Sequence, residues 1–287
     1  TLSITALANE LKAAGKDILS FSAGEPDFDT PQVVKDAAIK AINEGKTKYT
    51  AVEGIKETKQ AIINKLKKDH NLDYTLDKIV ISNGAKHSLF NLAQALIDEG
   101  DEVIIPSPYW VTYPELVVYS GGVPVFIETD ESTEFKITAK QLKEKITPKT
   151  KILMLNSPSN PTGSIYSKDE LLAIGEVLKG TDIVVLSDEM YEKLIYKGKK
   201  FTATAEVSED MYNRTVTING LSKSVAMTGW RFGYVACPNS ALAKAMSKLQ
   251  GQVTSNVNSM TQYAAIVALE GEANKDIEMM RVEFEKR

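Results

Sequence analysis

Lys78-Ile79-Val80-Ile81-Ser82-Asn83-Gly84-Ala85-Lys86 decides the fold of this chain. The first five residues read as a short apolar strand, a glycine turn follows, and Leu89, Leu92, Ala93, Leu96 and Ile97 then recur at helical spacing. Glu102-Val103-Ile104-Ile105 resumes as a second strand. Outward from this unit the same alternation continues, with strands predicted at 123–127, 152–155, 183–186, 216–218 and 232–236 and helices between most of them, notably over 168–178. Upstream, Thr30-Pro31 predicts a helix start, with a capping hydroxyl ahead of proline in the first turn, and that helix ends near Gly45. A second helix runs from about Glu53-Gly54 to His70. Strands of this kind, separated by helices, predict an α/β fold with a mostly parallel sheet covered on both faces. Such sheets bind ligands beyond the carboxyl ends of their strands. No internal repeat or low-complexity segment interrupts the pattern, and Gly121-Gly122 reads as a local connection.

Composition narrows the function. The 287 residues are 43% hydrophobic and 25% charged, ordinary for a globular protein of one large domain with a lobe, or of two domains. A formal charge of −4 gives no electrostatic case for nucleic acid, and no apolar run approaches the roughly 20 residues of a membrane span. The single cysteine, Cys237, reads as a small buried hydrophobe and suits a reducing, cytoplasmic compartment. His70 and His87 lack metal-ligand partners at helical spacing; His70 is expected to end a solvated helix and His87 to begin one. The chain begins at Thr1 and stops in a charged helical pattern at Arg287, so both ends look cut, and no signal peptide is visible.

The candidate chemistry lies just after the strands. In Gly220-Leu221-Ser222-Lys223-Ser224, a lysine follows an apolar strand among small residues, where partial desolvation lowers its pKa and frees the amine for a Schiff base. Arg231, eight residues on, offers a forked cation to a phosphate, and the small residues around Lys223 let further donors approach the same anion. Together they point to pyridoxal 5'-phosphate. The amides of Gly84, Ala85 and Lys86 open a helix and are available to phosphate, although most such turns bind nothing. Asn160, between Pro158 and Pro161, is either rigidly presented at the sheet edge or part of a plain turn. Asp188 ends another strand, where a carboxylate can keep a pyridine nitrogen protonated, and Tyr191 can reach the phenolic oxygen of the ring. Trp110 can stack on an aromatic ring or fill half-buried core. Lys86 either projects an ammonium toward a distal substrate carboxylate or lies on a solvated face.

Taken together, Gly220-Leu221-Ser222-Lys223 with Arg231, Asn160-Pro161-Thr162-Gly163, Asp188-Glu189-Met190-Tyr191 and Ser22-Ala23-Gly24-Glu25-Pro26-Asp27-Phe28 resemble the class I aminotransferases of PLP fold type I, most closely the bacterial aspartate-specific subgroup. The resemblance implies Lys223 as the cofactor-bearing lysine, Asp188 as partner of the pyridine nitrogen, and Asn160 and Tyr191 as donors to the phenolic oxygen. It further implies Trp110 as the stacking ring, Ser222 and Arg231 at the phosphate, Gly24 against the substrate carboxylate, and Tyr49 reaching the phosphate of a neighbouring subunit. A homodimer with shared active sites follows, acting on amino-acid and 2-oxo-acid substrates. The implied domains are an N-terminal segment 1–30, a PLP-binding large domain 31–270 with a seven-stranded-type sheet, and 271–287 as the start of a small C-terminal domain largely absent from this chain.

Two positions depart from the pattern. Phe232 stands where a smaller aliphatic is usual and is expected only to alter packing. The family's substrate-carboxylate arginine has no match among Arg214, Arg231, Arg281 and Arg287, which leaves a truncated, inactive fragment as one reading. Other readings are an aromatic or neutral amino-acid aminotransferase, a β-lyase, or a non-catalytic PLP-fold module, the last of which should carry a DNA-binding segment that is not evident. No Gly-x-Gly-x-x-Gly follows the first strand to support a nucleotide-binding protein.

Overall fold

In chain order the computed structural model, which describes residues 2–19 and 24–287, begins with three helices, α1 (Leu2–Ala13), α2 (Gln32–Asn43) and α3 (Lys56–His70). Ser22 and Ala23 of the predicted glycine motif lie outside the described residues. Then strand and helix alternate: β1 (Ile79–Asn83), α4 (Ala85–Leu96), β2 (Glu102–Ser107), α5 (Thr112–Tyr119), β3 (Val123–Glu128), α6 (Ala139–Lys145), β4 (Thr150–Asn156), α7 (Lys168–Leu178), β5 (Val184–Asp188), α8 (Glu209–Arg214) and β6 (Thr215–Gly220). After β7 (Phe232–Ala236) come α9 (Ser240–Val253), α10 (Ser259–Glu270) and α11 (Asn274–Lys286). Each strand expected from sequence is present, and Gly121-Gly122 is the local link between α5 and β3.

The seven strands form one sheet in the order β1-β7-β6-β5-β4-β2-β3. Six run in one direction; β7, wedged between β1 and β6, is antiparallel to both. Alternate residues of each strand point to opposite sides, as the pleat requires. On one side Val80, Val103, Ile105, Ile152, Met154, Leu186 and Val235 meet Leu89 and Leu92 of α4, Val117 of α5 and Met246 of α9. On the other, Ile79, Ile81, Phe232 and Tyr234 meet Val34 of α2, Ile62 and Leu66 of α3 and Ala265 of α10. That side continues toward the other edge with Ile104, Leu153, Leu155 and Val185 against Leu142 of α6 and Leu171 and Ile174 of α7. Phe232 is fully buried in this core, so its bulk is absorbed by packing.

Two expectations are corrected. Thr30 does not cap α2: Pro31 is the capping residue, with no side-chain cap. The Thr30 hydroxyl instead donates to the Ala226 carbonyl at 2.7 Å and accepts from Trp230 Nε1 at 2.9 Å. Partners almost two hundred residues away have taken a group that local sequence assigns to the helix. His70 ends α3 as expected, but not in solvent. Its side chain is 8% exposed and lies 3.1 Å from both Glu192 and Glu206, because α3 packs its last turn against the segment leaving β5.

Candidate active site

Asp188 is delivered by the last residue of β5 and is almost wholly buried. Its Oδ2 accepts from the Tyr113 hydroxyl at 2.8 Å, and its Oδ1 from the Met190 amide at 3.2 Å. Among the described residues no lysine, arginine or histidine forms an ion pair with it. Burial raises the Asp188 pKa, and the Tyr113 hydroxyl and Met190 amide oppose that shift only in part. An interior carboxylate without a cation works against stability, and such groups concentrate where a ligand completes the charge balance. The neighbouring strand end is locked to this one. Asn156 of β4 donates through Nδ2 to the Asp188 carbonyl at 3.0 Å, and its Oδ1 accepts the Asn160 amide at 2.6 Å. Tyr191 lies beside Asn160; its hydroxyl is raised in pKa by burial and by the Asp188 charge, and the Asn160 side chain opposes the shift. The two prolines and this ladder of hydrogen bonds set Asn160 at the sheet edge.

The loop from β6 to β7 brings Lys223 and Arg231 to the same edge. Lys223 is half-buried and its amine donates to the Gly24 carbonyl. Burial lowers its pKa, Glu25 opposes the shift and Arg231 adds to it. Arg231 is exposed and donates to the Thr228 carbonyl at 2.9 Å; among the described residues it has no carboxylate partner. It lies against the glycine turn that opens α4. A Cβ on Gly84, where φ is +83°, would stand 2.2 Å from an Arg231 terminal nitrogen. Gly233, two residues past Arg231, passes so close to that turn that its own Cβ would meet Ala85 N at 2.3 Å and Gly84 C at 2.4 Å. No side chain caps α4. An arginine fork and an uncapped helix start thus converge on one spot that only glycines leave open.

The remaining predicted residues divide. Trp110 is half-buried, edge-on to Tyr113 with ring centres 5.6 Å apart, and the Lys86 ammonium sits 4.8 Å from its ring centre. Ser222 is buried beside Lys223. Tyr49 is 91% exposed and stands outside this set of contacts among the described residues. Sequence reasoning missed Tyr113 and Asn156. Tyr113 lies three residues after Trp110, a spacing that only hindsight makes meaningful; Asn156 opens the Asn156-Ser157-Pro158-Ser159-Asn160 turn and was passed over for its second asparagine.

Comparison with known proteins agrees with this geometry. The family described as aminotransferase class I and II matches residues 16–287. The aspartate aminotransferase of Geobacillus stearothermophilus is 54% identical over the whole chain, which spans 72% of that relative's length. Among solved structures, the aspartate aminotransferase of Rhizobium meliloti superimposes with a TM-score of 0.95 at 45% identity, covering 99% of this chain and 71% of that one. The Thermus thermophilus aspartate aminotransferase with maleate gives 0.94 at 41%, covering 98% and 72%. In sequence and in fold the chain belongs to the class I and II aminotransferases, the pyridoxal 5'-phosphate-dependent transaminases.

Proposed function

We propose that this chain moves the amino group of L-aspartate or L-glutamate to a 2-oxo acid such as 2-oxoglutarate, at the carboxyl edge of its sheet. The observation that carries the reading is Asp188, a buried carboxylate with no cationic partner among the described residues, flanked by the Tyr191–Asn160 pair. Pyridoxal 5'-phosphate fits the groups present. Asp188 would hold its ring nitrogen protonated, Asn160 and Tyr191 would donate to its phenolic oxygen, and Trp110 would stack on the ring. Arg231, Ser222 and the amides of Gly84, Ala85 and Lys86 would take the phosphate, and Lys223 the aldehyde. When bound, the cofactor supplies the electron sink for the substrate α-carbon.

The protein's own part is electrostatic and acid-base. Lys223, made less basic by burial, would take the proton from the substrate α-carbon onto its amine and hold it there for return. Asp188, its charge supported by the Tyr113 hydroxyl and the Met190 amide against the push of burial, would keep that charge for a protonated ring nitrogen. Gly24 lies by the substrate carboxylate. The Lys86 ammonium pairs with no carboxylate among the described residues and is our reader of the distal carboxylate; the maleate in the Thermus thermophilus relative is a dicarboxylate of that kind. We place the cofactor-binding domain at 31–270, flanked by 1–30 and 271–287. The exposed Tyr49 supports a homodimer in which that ring reaches the neighbouring subunit's phosphate. Among the described residues no helix is long and apolar enough to cross a membrane, and we assign the chain to the cytoplasm.

Borohydride reduction with pyridoxal 5'-phosphate, followed by peptide mapping, should place the pyridoxyl group on Lys223, and aspartate with 2-oxoglutarate should yield oxaloacetate. Label on a different lysine, or no oxaloacetate, refutes the assignment. Lys86→Ala should raise the KM for aspartate about tenfold, the scale of one lost ion pair at a half-open site, and leave that for alanine or phenylalanine unchanged. Equal effects on charged and neutral substrates would remove Lys86 from specificity.

A further inference from the structure

Four hydrogen bonds tie the 24–30 segment to the loop that carries Lys223 and Arg231: Lys223 to the Gly24 carbonyl, Thr228 to the Glu25 carboxylate at 2.8 Å, Thr30 to the Ala226 carbonyl at 2.7 Å, and Trp230 Nε1 to the Thr30 hydroxyl at 2.9 Å. Gly24, Glu25 and Arg231 are exposed, whereas Thr30 is 8% exposed. One hydroxyl therefore works in both senses, as donor to one part of the loop and acceptor from another four residues later. The two places it grips adjoin backbone that needs holding. Ala226 has φ +50° and Arg231 has φ +58°, a left-handed region that residues with a side chain occupy when their surroundings fix them there. The Ala226 carbonyl is held by Thr30 directly. Arg231 follows Trp230, whose indole is pinned by Thr30 and whose carbonyl accepts from Thr261 at 3.3 Å.

We propose that Thr30 is a positioning residue for the cofactor loop, fixing the separation of the Lys223 amine from the Arg231 guanidinium. It touches neither group, and it acts through the backbone of Ala226 and the ring of Trp230. The inference rests on the reading of Lys223 and Arg231 given above. It also explains why a threonine at a helix entrance gives up the cap that its sequence position invites: without the hydroxyl, both left-handed residues relax and the arginine fork leaves the Gly84 turn.

Thr30→Val keeps the shape of the side chain and removes both hydrogen bonds, while Thr30→Ser keeps the hydroxyl. Apoprotein would be titrated with pyridoxal 5'-phosphate, followed by near-ultraviolet absorbance, and separately with inorganic phosphate as a competitor. For Thr30→Val the dissociation constant should rise on the order of tenfold, the scale of two lost neutral hydrogen bonds. Phosphate should weaken in parallel, and Thr30→Ser should recover both to within about threefold. Ile62→Val, in the core away from the site, controls for a general loss of stability and should leave both constants unchanged. Pyridoxyl label away from Lys223 in the unsubstituted protein overturns the site reading and this inference with it. Label at Lys223 with unaltered affinity in Thr30→Val, or a Thr30→Ser variant that recovers nothing, overturns the inference alone.

Discussion

Asp188 and Glu192 are two buried carboxylates four residues apart on the segment leaving β5, and they live in opposite electrostatic worlds. Asp188 faces the sheet edge with a tyrosine hydroxyl and one amide for company. Glu192 faces α3, where Lys65 stands 2.6 Å and His70 3.1 Å away. Burial pushes both carboxyls up. At Asp188 that push wins; at Glu192 the charges of Lys65 and His70 overcome it and hold the carboxyl well below the usual range. The contrast separates two uses of buried charge. A carboxylate whose partners are already in the chain is an anchor, and one left without a cation is kept for something that arrives.

The sharpest way to break the comparison is to remove each carboxylate and read both stability and turnover. Asp188→Ala should lower kcat/KM by about 5 kcal/mol, several-thousandfold, because it deletes the charge that sustains the electron sink. The apoprotein's stability in urea should not fall, since an uncompensated buried charge goes with it. Near-normal turnover would end the case for Asp188. Glu192→Gln should behave in the reverse way, destabilising the fold by about 4 kcal/mol as Lys65 and His70 lose their common partner, with the urea midpoint as readout. If Asp188→Ala unfolds the protein and Glu192→Gln does not, the distinction between anchor and reserve is wrong.

A smaller effect sharpens the same contrast through pH. Burial alone would lower the His70 pKa, but hydrogen bonds to Glu192 and Glu206 outweigh it and raise the imidazole to about 9. The folded value stands above the unfolded one near 6.5, so the imidazolium's contribution is complete below that pH and disappears as pH climbs through 9. Stability should decline by up to about 3 kcal/mol across this window. The interval from pH 8 to 9 isolates it, because Glu189, raised to about 7 by its burial and by the Glu192 charge, is almost wholly ionised there. His70→Asn should flatten the slope in urea melts over that interval; an unchanged slope would assign it to another group.

Much of this was open to sequence reading, and the exceptions have a common cause. Short runs of three to five residues marked every strand, and strand ends marked Asn160, Asp188 and Lys223, because the pleat and the helix leave periodic traces in a local window. The reversal of β7 left none. Phe232-Gly233-Tyr234-Val235-Ala236 is buried on both faces and reads like the parallel strands of the sheet. His70 was misread because Lys67 and Lys68 make its turn look solvated, while Glu192 and Glu206 lie 122 and 136 residues away. Thr30 was misread for the same reason, and Tyr113 was missed because only the folded sheet sets its hydroxyl against Asp188.

The close pass of Gly233 over the Gly84-Ala85 turn bears on assembly as well as on shape. The last strand in the sequence, β7, inserts between the first strand and β6, and Arg231 enters with it. Until that insertion the glycine turn and the guanidinium belong to separate pieces of an unfinished sheet. Afterwards they are one rigid body with no space for even a methyl group between their backbones. Capture of a phosphate at this spot therefore requires that the sheet has closed, and an ion held there would oppose the withdrawal of β7.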